Sequence, residues 1–267
     1  MDLKISQYNF FGLKVSNLSK KELITFCDET ILASETIICY GYSFGIIPLF
    51  KKYPHLSEII NSYDINVTDG TLFYWFMNIM GYRINSFISI PNMTIDLLNY
   101  ANDNQKSVLL LGADRKTNQK ATSNLRISYP AIHFFEGVDG YFDEDNEIDI
   151  INYINQCSPT ILLIGISSPI KENFAYKYKN QINSNIIIPC GGMIDVFSGK
   201  VRLAHPFAKK LGLATLVRII QEPKRHLVLN LWLSYETFFK IIPVTLWELL
   251  VRRNKHFRIP SIYKGSK

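Results

Sequence analysis

The chain has 267 residues, 47% hydrophobic and 19% charged, with a formal net charge of +6. That length and apolar content suffice for a full buried core and exclude a disordered chain. The positive charge falls late: residues 202–267 hold thirteen Lys and Arg against Glu222, Glu236 and Glu248, a bias that predicts an anionic partner such as lipid headgroups, a diphosphate or nucleic acid.

In chain order, Tyr8–Phe11 and Leu13–Val15 flank Gly12 and read as a hairpin. Ser19 can cap a helix that begins at Lys20. Thr36–Tyr40 reads as a strand followed by a turn at Gly41, an apolar helix towards Lys52 and a short helix over His55–Ser62. Ile65–Val67 is a strand that ends in Thr68-Asp69-Gly70, and an apolar helix, Leu72–Met80, follows at once. The pattern then repeats: strand Ser107–Leu111 ending at Gly112, helix Thr117–Tyr129, strand Ile132–Phe135 and helix Ile148–Gln156.

The central stretch runs from Thr160 to Pro206. An apolar run, Thr160–Ile164, ends at Gly165, and an amphipathic segment opens near Lys171. A second run, Ile186–Pro189, meets Gly191-Gly192 and a helix-like segment with Asp195. Continuous apolar runs suit strands buried on both faces. Strand, glycine turn and helix in alternation predict an α/β, Rossmann-like fold with a mostly parallel sheet and flanking helices. Ligands of such sheets sit beyond the carboxyl ends of the strands, where the glycine turns fall. A nucleotide or sugar-phosphate pocket is therefore expected. Near Gly212 the composition turns basic, aromatic and helical. The expected organisation is a core over residues 1–211 and a C-terminal appendage over 212–267.

The four cysteines, Cys27, Cys39, Cys157 and Cys190, are widely spaced and form no C-x-x-C pair, which leaves no zinc or redox motif. Three of them read as small core hydrophobes. Without a signal peptide, a reducing cytoplasm is expected. No apolar run reaches the roughly 18–20 residues of a spanning helix, so no membrane span is expected.

Asp69 has two readings. It can cap the helix that follows, which spacing alone favours, or it can act as a general base towards a substrate hydroxyl. Gly191, Gly192 and Asp195 form either a phosphate-accepting turn at a helix N-terminus or a plain tight turn. Asp143-Glu144-Asp145 contains a D-x-D triplet, but its polar setting before a helix suits capping better than metal binding. The five histidines show no metal-ligand spacing. Arg218, Lys224, Arg225, Arg252 and Arg253 are interleaved with Leu and aromatic residues including Trp232, Phe238, Phe239 and Trp247. That interleaving suits an interfacial membrane helix or a solvated face over a core. Nucleic acid is disfavoured, because no nucleic-acid motif accompanies the charge.

These pieces together resemble the WecG/TagA/CpsF family of bacterial glycosyltransferases, from about Phe10 to about Trp232. The resemblance rests on Thr68-Asp69-Gly70, LLLGA at Leu109–Ala113, Gly137…Gly140-Tyr141-Phe142 and Gly165…Pro169…Glu172. It rests most on GGMIDVFSGKVRLAHP and on RIIQEPKR at Arg218–Arg225. It implies an inverting transferase that moves a sugar from a nucleotide diphosphate, usually UDP, to a polyprenyl-diphosphate-linked saccharide. The setting implied is surface polysaccharide synthesis at the inner face of the cytoplasmic membrane, with peripheral attachment. It also implies Asp69 as the base, which reverses the cap-first reading.

Gly112, Gly165, Lys171, Gly191, Gly192 and Asp195 are then expected on the donor diphosphate, and Arg218, Lys224 and Arg225 on the acceptor side. No metal or other cofactor is expected, because glycine-turn amides, helix N-termini and arginines can stabilise the leaving group. An anionic membrane surface is an expected partner, nucleic acid is not, and a homo-oligomer is left open. The chain departs from the family at four places: Ser167 for glycine, Ile170 for lysine, Lys171 for glutamine and Gly41 for asparagine. These departures leave the donor sugar and acceptor open. They also admit a second reading, a catalytically degenerate nucleotide-sugar-binding or scaffold subunit, which a retained Asp69 disfavours.

Overall fold

The computed structural model describes residues 5–263 except 206, 209, 210, 222 and 255, and the side chains of 144 and 224–226 also lie outside the description. Two strands, β1 (Ser6–Phe10) and β2 (Leu13–Asn17), form the expected antiparallel hairpin. The first helix, α1 (Lys20–Leu32), starts at a capping box in which the Ser19 hydroxyl accepts from Glu22 N and the Glu22 carboxylate accepts from Ser19 N.

Six further strands make one sheet: β3 (Ile37–Tyr42), β4 (Ile65–Thr68), β5 (Ser107–Gly112), β6 (His133–Phe134), β7 (Ile161–Gly165) and β8 (Ile186–Ile188). Their order is β4-β3-β8-β7-β5-β6, and every neighbouring pair is parallel. Residues 161–164 and 186–188 are fully buried, as a central strand covered on both faces requires. The helices around the sheet are α2 (Leu56–Asn61), α3 (Thr71–Ile79), α4 (Ile90–Asp103), α5 (Arg115–Ser128), α6 (Glu147–Cys157), α7 (Ile170–Tyr178) and α8 (Met193–Phe197). The α/β, Rossmann-like expectation therefore holds.

Three local differences have physical causes. Gly41 lies inside β3 and not in a turn after it; a side chain there would place its Cβ 2.9 Å from the Asp69 Cβ and 3.2 Å from Ile90 Cγ1. The segment expected as a helix towards Lys52 is a short 3₁₀ turn, Ile47–Lys51, with Pro48 in its first turn. Helix α4 has no counterpart among the expected elements. It is capped by the Ser89 hydroxyl, which accepts from Asn92 N, and carries Pro91 in its first turn.

The C-terminal part contains α9 (Ala214–Gln221), α10 (Pro223–Glu236) and α11 (Ile242–Leu246), the last flanked by π-helical turns at Thr237–Ile241 and Trp247–Val251. Leu227–Val251 is thus one 25-residue helix, long and apolar enough by length and composition to cross a membrane. This corrects the expectation drawn from uninterrupted apolar runs, because charged residues at 236, 240 and 248 break up the run without breaking the helix. One stripe of it packs on the domain. Glu236 is buried and accepts from Lys51 Nζ at 3.1 Å and from the Tyr263 hydroxyl at 3.0 Å, while the Thr237 hydroxyl donates to Phe44 O at 3.3 Å. Residues 257–263 return to the hairpin, where Ile259 N donates to Phe11 O at 2.7 Å and the Ile259 side chain is fully buried.

Glu236 therefore ties the long helix to both the Lys51 turn and the terminal segment. Replacing it with Ala strands the buried Tyr263 hydroxyl, so Glu236→Ala should cost about 1–3 kcal/mol. The midpoint of urea unfolding should fall at unchanged slope. An unshifted midpoint would show that the helix is held by other contacts.

Candidate functional site

The carboxyl ends of β3, β4, β7 and β8 converge on two cavities. The larger, of about 910 Å³, is lined by the Gly165–Pro169 loop, Lys171, the Gly191-Gly192 turn and, from α10, Leu229, Trp232 and Leu233. The smaller, of about 320 Å³, is mainly apolar, with Phe44, Phe73, Phe87 and Leu203 in its wall. Asp69, Ser43 and Arg218 line both. The two spaces thus share one carboxylate and one guanidinium.

Asp69 follows β4 directly, and its backbone N–H donates to Tyr42 O at 2.7 Å, which extends the parallel pairing by one step. It does not cap α3. Gly70 occupies the cap position with φ +89, and the Asp69 Oδ1 instead accepts from Ile90 N, at the start of α4, at 3.1 Å. Burial pushes the Asp69 carboxyl up to about 6, against the opposing pull of the Ile90 amide, the Lys171 ammonium, the Gly70 amide and the Arg218 guanidinium. A carboxylate with that value accepts a proton more readily than an ordinary surface aspartate yet remains ionised at neutral pH.

Two cations lie against the Gly191-Gly192 turn. Gly191, at φ +57, has Lys171 Cε 3.7 Å from the point where a Cβ would stand; the corresponding point at Gly192 is 1.8 Å from Arg218 Nη2. Lys171 is buried, as is Glu172 beside it. The Glu172 Oε1 accepts from the Tyr40 hydroxyl at 2.7 Å, from the Ser168 hydroxyl at 2.7 Å and from Lys171 Nζ. Burial pushes the Glu172 carboxyl up, but the Lys171 ammonium and these bonds outweigh it and hold the group below the usual range. Cys190 also lines the larger cavity, but burial pushes its thiol up to about 12, which leaves no thiolate for nucleophilic chemistry at neutral pH.

Of the expected site residues, Asp69, Gly165, Lys171, Gly191, Gly192 and Arg218 come together around the larger cavity. Gly112 and Asp195 are not among its lining residues. A Cβ at Gly112 would stand 2.5 Å from the Gly165 backbone, so this glycine serves the close approach of β5 and β7. Asp195 is buried, with Lys200 Nζ at 3.4 Å. The Lys224 and Arg225 side chains lie outside the described residues. Asp143 and Asp145 stand in the turn before α6, and neither lines either of these two cavities.

Several contributors have no signal in the sequence reading. Tyr40 and Ser168 hold Glu172, and Asn118 donates to Leu110 O, Gly112 O and Val138 O, fixing the loop that carries Gly137 and Gly140. Gln221, in α9, donates to Arg202 O at 3.0 Å and accepts from Arg202 N at 2.8 Å, joining the two longest sequence motifs. Buried polar partners of this kind are set by tertiary contact, not by local pattern.

The model of the glycosyl transferase WecG/TagA/CpsF family matches residues 8–255. The chain belongs to this family. Among curated relatives it is 24% identical over 172 residues to an N-acetylglucosaminyldiphosphoundecaprenol N-acetyl-beta-D-mannosaminyltransferase of Bacillus spizizenii, covering 64% of this chain and 66% of that protein. Proteins of the same name match at 26% identity in Bacillus subtilis and 27% in Staphylococcus aureus, each over 168 residues, 63% of this chain and 65% of the relative. The chain thus spans just under two thirds of the length of these relatives.

The turn and the carboxylate are coupled through Arg218. Gly192 has φ −71, which any residue adopts, so Gly192→Ala should fold while its methyl evicts the guanidinium. Losing a nearby cation favours the protonated acid. The Asp69 titration, followed by carboxyl ¹³C NMR, should move above its value of about 6. An unmoved titration would mean that Arg218 does not act on Asp69.

Proposed function

We propose that this chain is an inverting glycosyltransferase. It moves a sugar from a nucleotide diphosphate, UDP-linked, to a hydroxyl of a polyprenyl-diphosphate-linked saccharide in bacterial surface polysaccharide synthesis. The observation that carries the reading is the position of Asp69 in the walls of two adjoining cavities. A base that must take the acceptor's proton as the acceptor attacks the donor belongs at such a junction.

In this reading the larger cavity takes the donor and the smaller takes the acceptor saccharide. The acceptor oxygen attacks the anomeric carbon as its proton passes to the Asp69 carboxylate. The bond from the anomeric carbon to the diphosphate oxygen breaks, and its electron pair leaves with the diphosphate. Arg218 and the amides of the glycine turn stabilise the charge that develops there, so the reaction is proposed to need no metal. The relatives' printed name supports an acceptor with N-acetylglucosamine on undecaprenyl diphosphate. Turnover with a panel of UDP-sugars and a synthetic acceptor of that kind, read by mass spectrometry, tests the reading. Failure with every donor would favour the non-catalytic scaffold.

The acceptor is confined to a membrane, and the C-terminal segment, proposed as a membrane-facing unit over 212–267, suits that constraint. Phe238, Phe239, Trp247, Leu250 and Val251 are exposed on the long helix, with Arg252 and Arg253 exposed beyond it. Trp232, expected among these anchors, is half-buried and lines the larger cavity instead. The proposed placement is peripheral, at the inner face of the cytoplasmic membrane.

Asp69→Asn keeps an acceptor for the Ile90 amide but loses proton affinity, so turnover should fall by roughly 10²–10⁴-fold. Wild-type activity should decline with protonation of the base as pH falls through about 6. The same variant should melt higher than wild type at pH 8. The folded carboxyl titrates above its usual value, so its ionisation opposes folding there, and the gain should vanish once pH falls below both values. More than about half the wild-type rate in Asp69→Asn would end the assignment of the base.

Vesicle sedimentation tests the membrane reading. Full-length protein should bind anionic vesicles at low salt and be released as salt rises. Phe239→Ser with Trp247→Ser should weaken binding without lowering the melting temperature. Full-length protein that ignores anionic vesicles at low salt would point to a protein partner for this face.

A further inference from the structure

A buried lysine is costly even when it is paired, and Lys171 stands in the wall of the larger cavity. Two acceptors, the Ser168 hydroxyl and Glu172 Oε1, engage its ammonium. They take two of the three N–H bonds that a lysine carries, which leaves one for a ligand. The Tyr40 ring lies 5.3 Å below the nitrogen and restricts it from that side. Ser168 both accepts from Lys171 and donates to Glu172, and Tyr40 donates to the same Glu172 oxygen. The lysine head is therefore fixed by three elements: β3, the Ser168 loop and its own helix α7. A solvated lysine in the first turn of a helix has no such frame.

The frame places the cation beside Gly191, and Arg218 lies against the adjoining Gly192. Two cations against one glycine turn suit a ligand with two linked anionic groups. A diphosphate fits, because its oxygens can accept from both cations and from the turn at once.

We propose that Lys171 is a specificity-determining residue that binds the diphosphate of the nucleoside diphosphate donor, together with Arg218, which was expected on the acceptor side but lies against the same Gly191-Gly192 turn. The assignment rests on the donor reading of the larger cavity. When the bond from the anomeric carbon to the diphosphate oxygen breaks, its electron pair passes to that oxygen, and the Lys171 ammonium stabilises the added charge. The proton of the acceptor hydroxyl goes to Asp69, so Lys171 neither gains nor loses a proton. Glu172 keeps the lysine in place and tempers its charge, which lets the spent nucleoside diphosphate leave.

Calorimetric titration of the full chain with uridine, UMP, UDP and inorganic diphosphate tests this. Wild type should bind UDP well above uridine, and inorganic diphosphate should compete with UDP. Lys171→Gln should weaken UDP binding by roughly 10–100-fold, the worth of one charge-assisted hydrogen bond, while uridine binding holds. Lys171→Arg should restore most of the loss, which a merely structural role would not predict. Where Lys171→Gln does not fold, Lys171→Met leaves a similar shape without charge and should show the same selective loss. If wild type binds diphosphate ligands and a folded neutral variant binds UDP equally well, the lysine assignment fails alone. If wild type binds neither UDP nor inorganic diphosphate, the donor reading fails and the assignment falls with it.

Discussion

The site depends on backbones and charged groups approaching more closely than side chains would permit. At Gly41 a Cβ would meet the Asp69 Cβ at 2.9 Å; at Gly112 it would meet the Gly165 backbone at 2.5 Å; at Gly192 it would meet the Arg218 guanidinium at 1.8 Å. The first absence lets the carboxylate stand against β3. The second lets β5 and β7 run together to their carboxyl ends, and the third lets a helix from the far end of the chain reach the turn after β8. Only one of these three glycines needs its freedom at positive φ, Gly112 at +143. The other two are there for space.

Desolvation acts on two carboxyl groups in this region with opposite results. Asp69 is enclosed with two amides and two cations whose pull is too weak to offset burial, and its value rises to about 6. Glu172 is fully buried but has three donors on one oxygen, one of them the Lys171 ammonium, and it stays ionised. The difference lies in first-contact hydrogen bonds, not in depth. It separates a carboxylate suited to proton exchange from one suited to holding a cation. Asp69 and Lys171 both line the larger cavity, while Glu172 holds the lysine from behind that wall.

The sheet was legible because its signal is local. Apolar runs ending in glycine mark β5, β7 and β8 whatever packs on them, and Ser19 announces α1 through its own capping box. The Asp69 position was legible for the same reason, as the residue just beyond a buried strand. Its bond to Ile90 was not, because that contact spans 21 residues and joins two elements with no shared pattern. Gly41 misled as a turn glycine, since the volume it vacates is needed by Asp69, just beyond the neighbouring strand. Gly112 misled in the opposite sense, looking like a ligand turn while serving strand packing.

The long C-terminal helix shows why periodicity failed where it was most needed. Leu229, Trp232, Leu233, Thr237 and Ile241 face the cavity or the domain, while Val228, Leu231, Tyr235, Phe238 and Phe239 face outward. Both stripes are mostly apolar, so no polar face marks which way the helix turns, and anchors cannot be told from core by spacing. The contacts that orient it are polar: Glu236 to Lys51 and Tyr263, and Thr237 to Phe44. Those bonds fix the rotation of the helix, and with it which aromatics close the larger cavity and which stand in the open. A helix apolar all round but packed on one side leaves an uncovered stripe whose exposure water does not favour. The same helix thus lines the cavity with Leu229, Trp232 and Leu233 and carries the uncovered stripe on its opposite face.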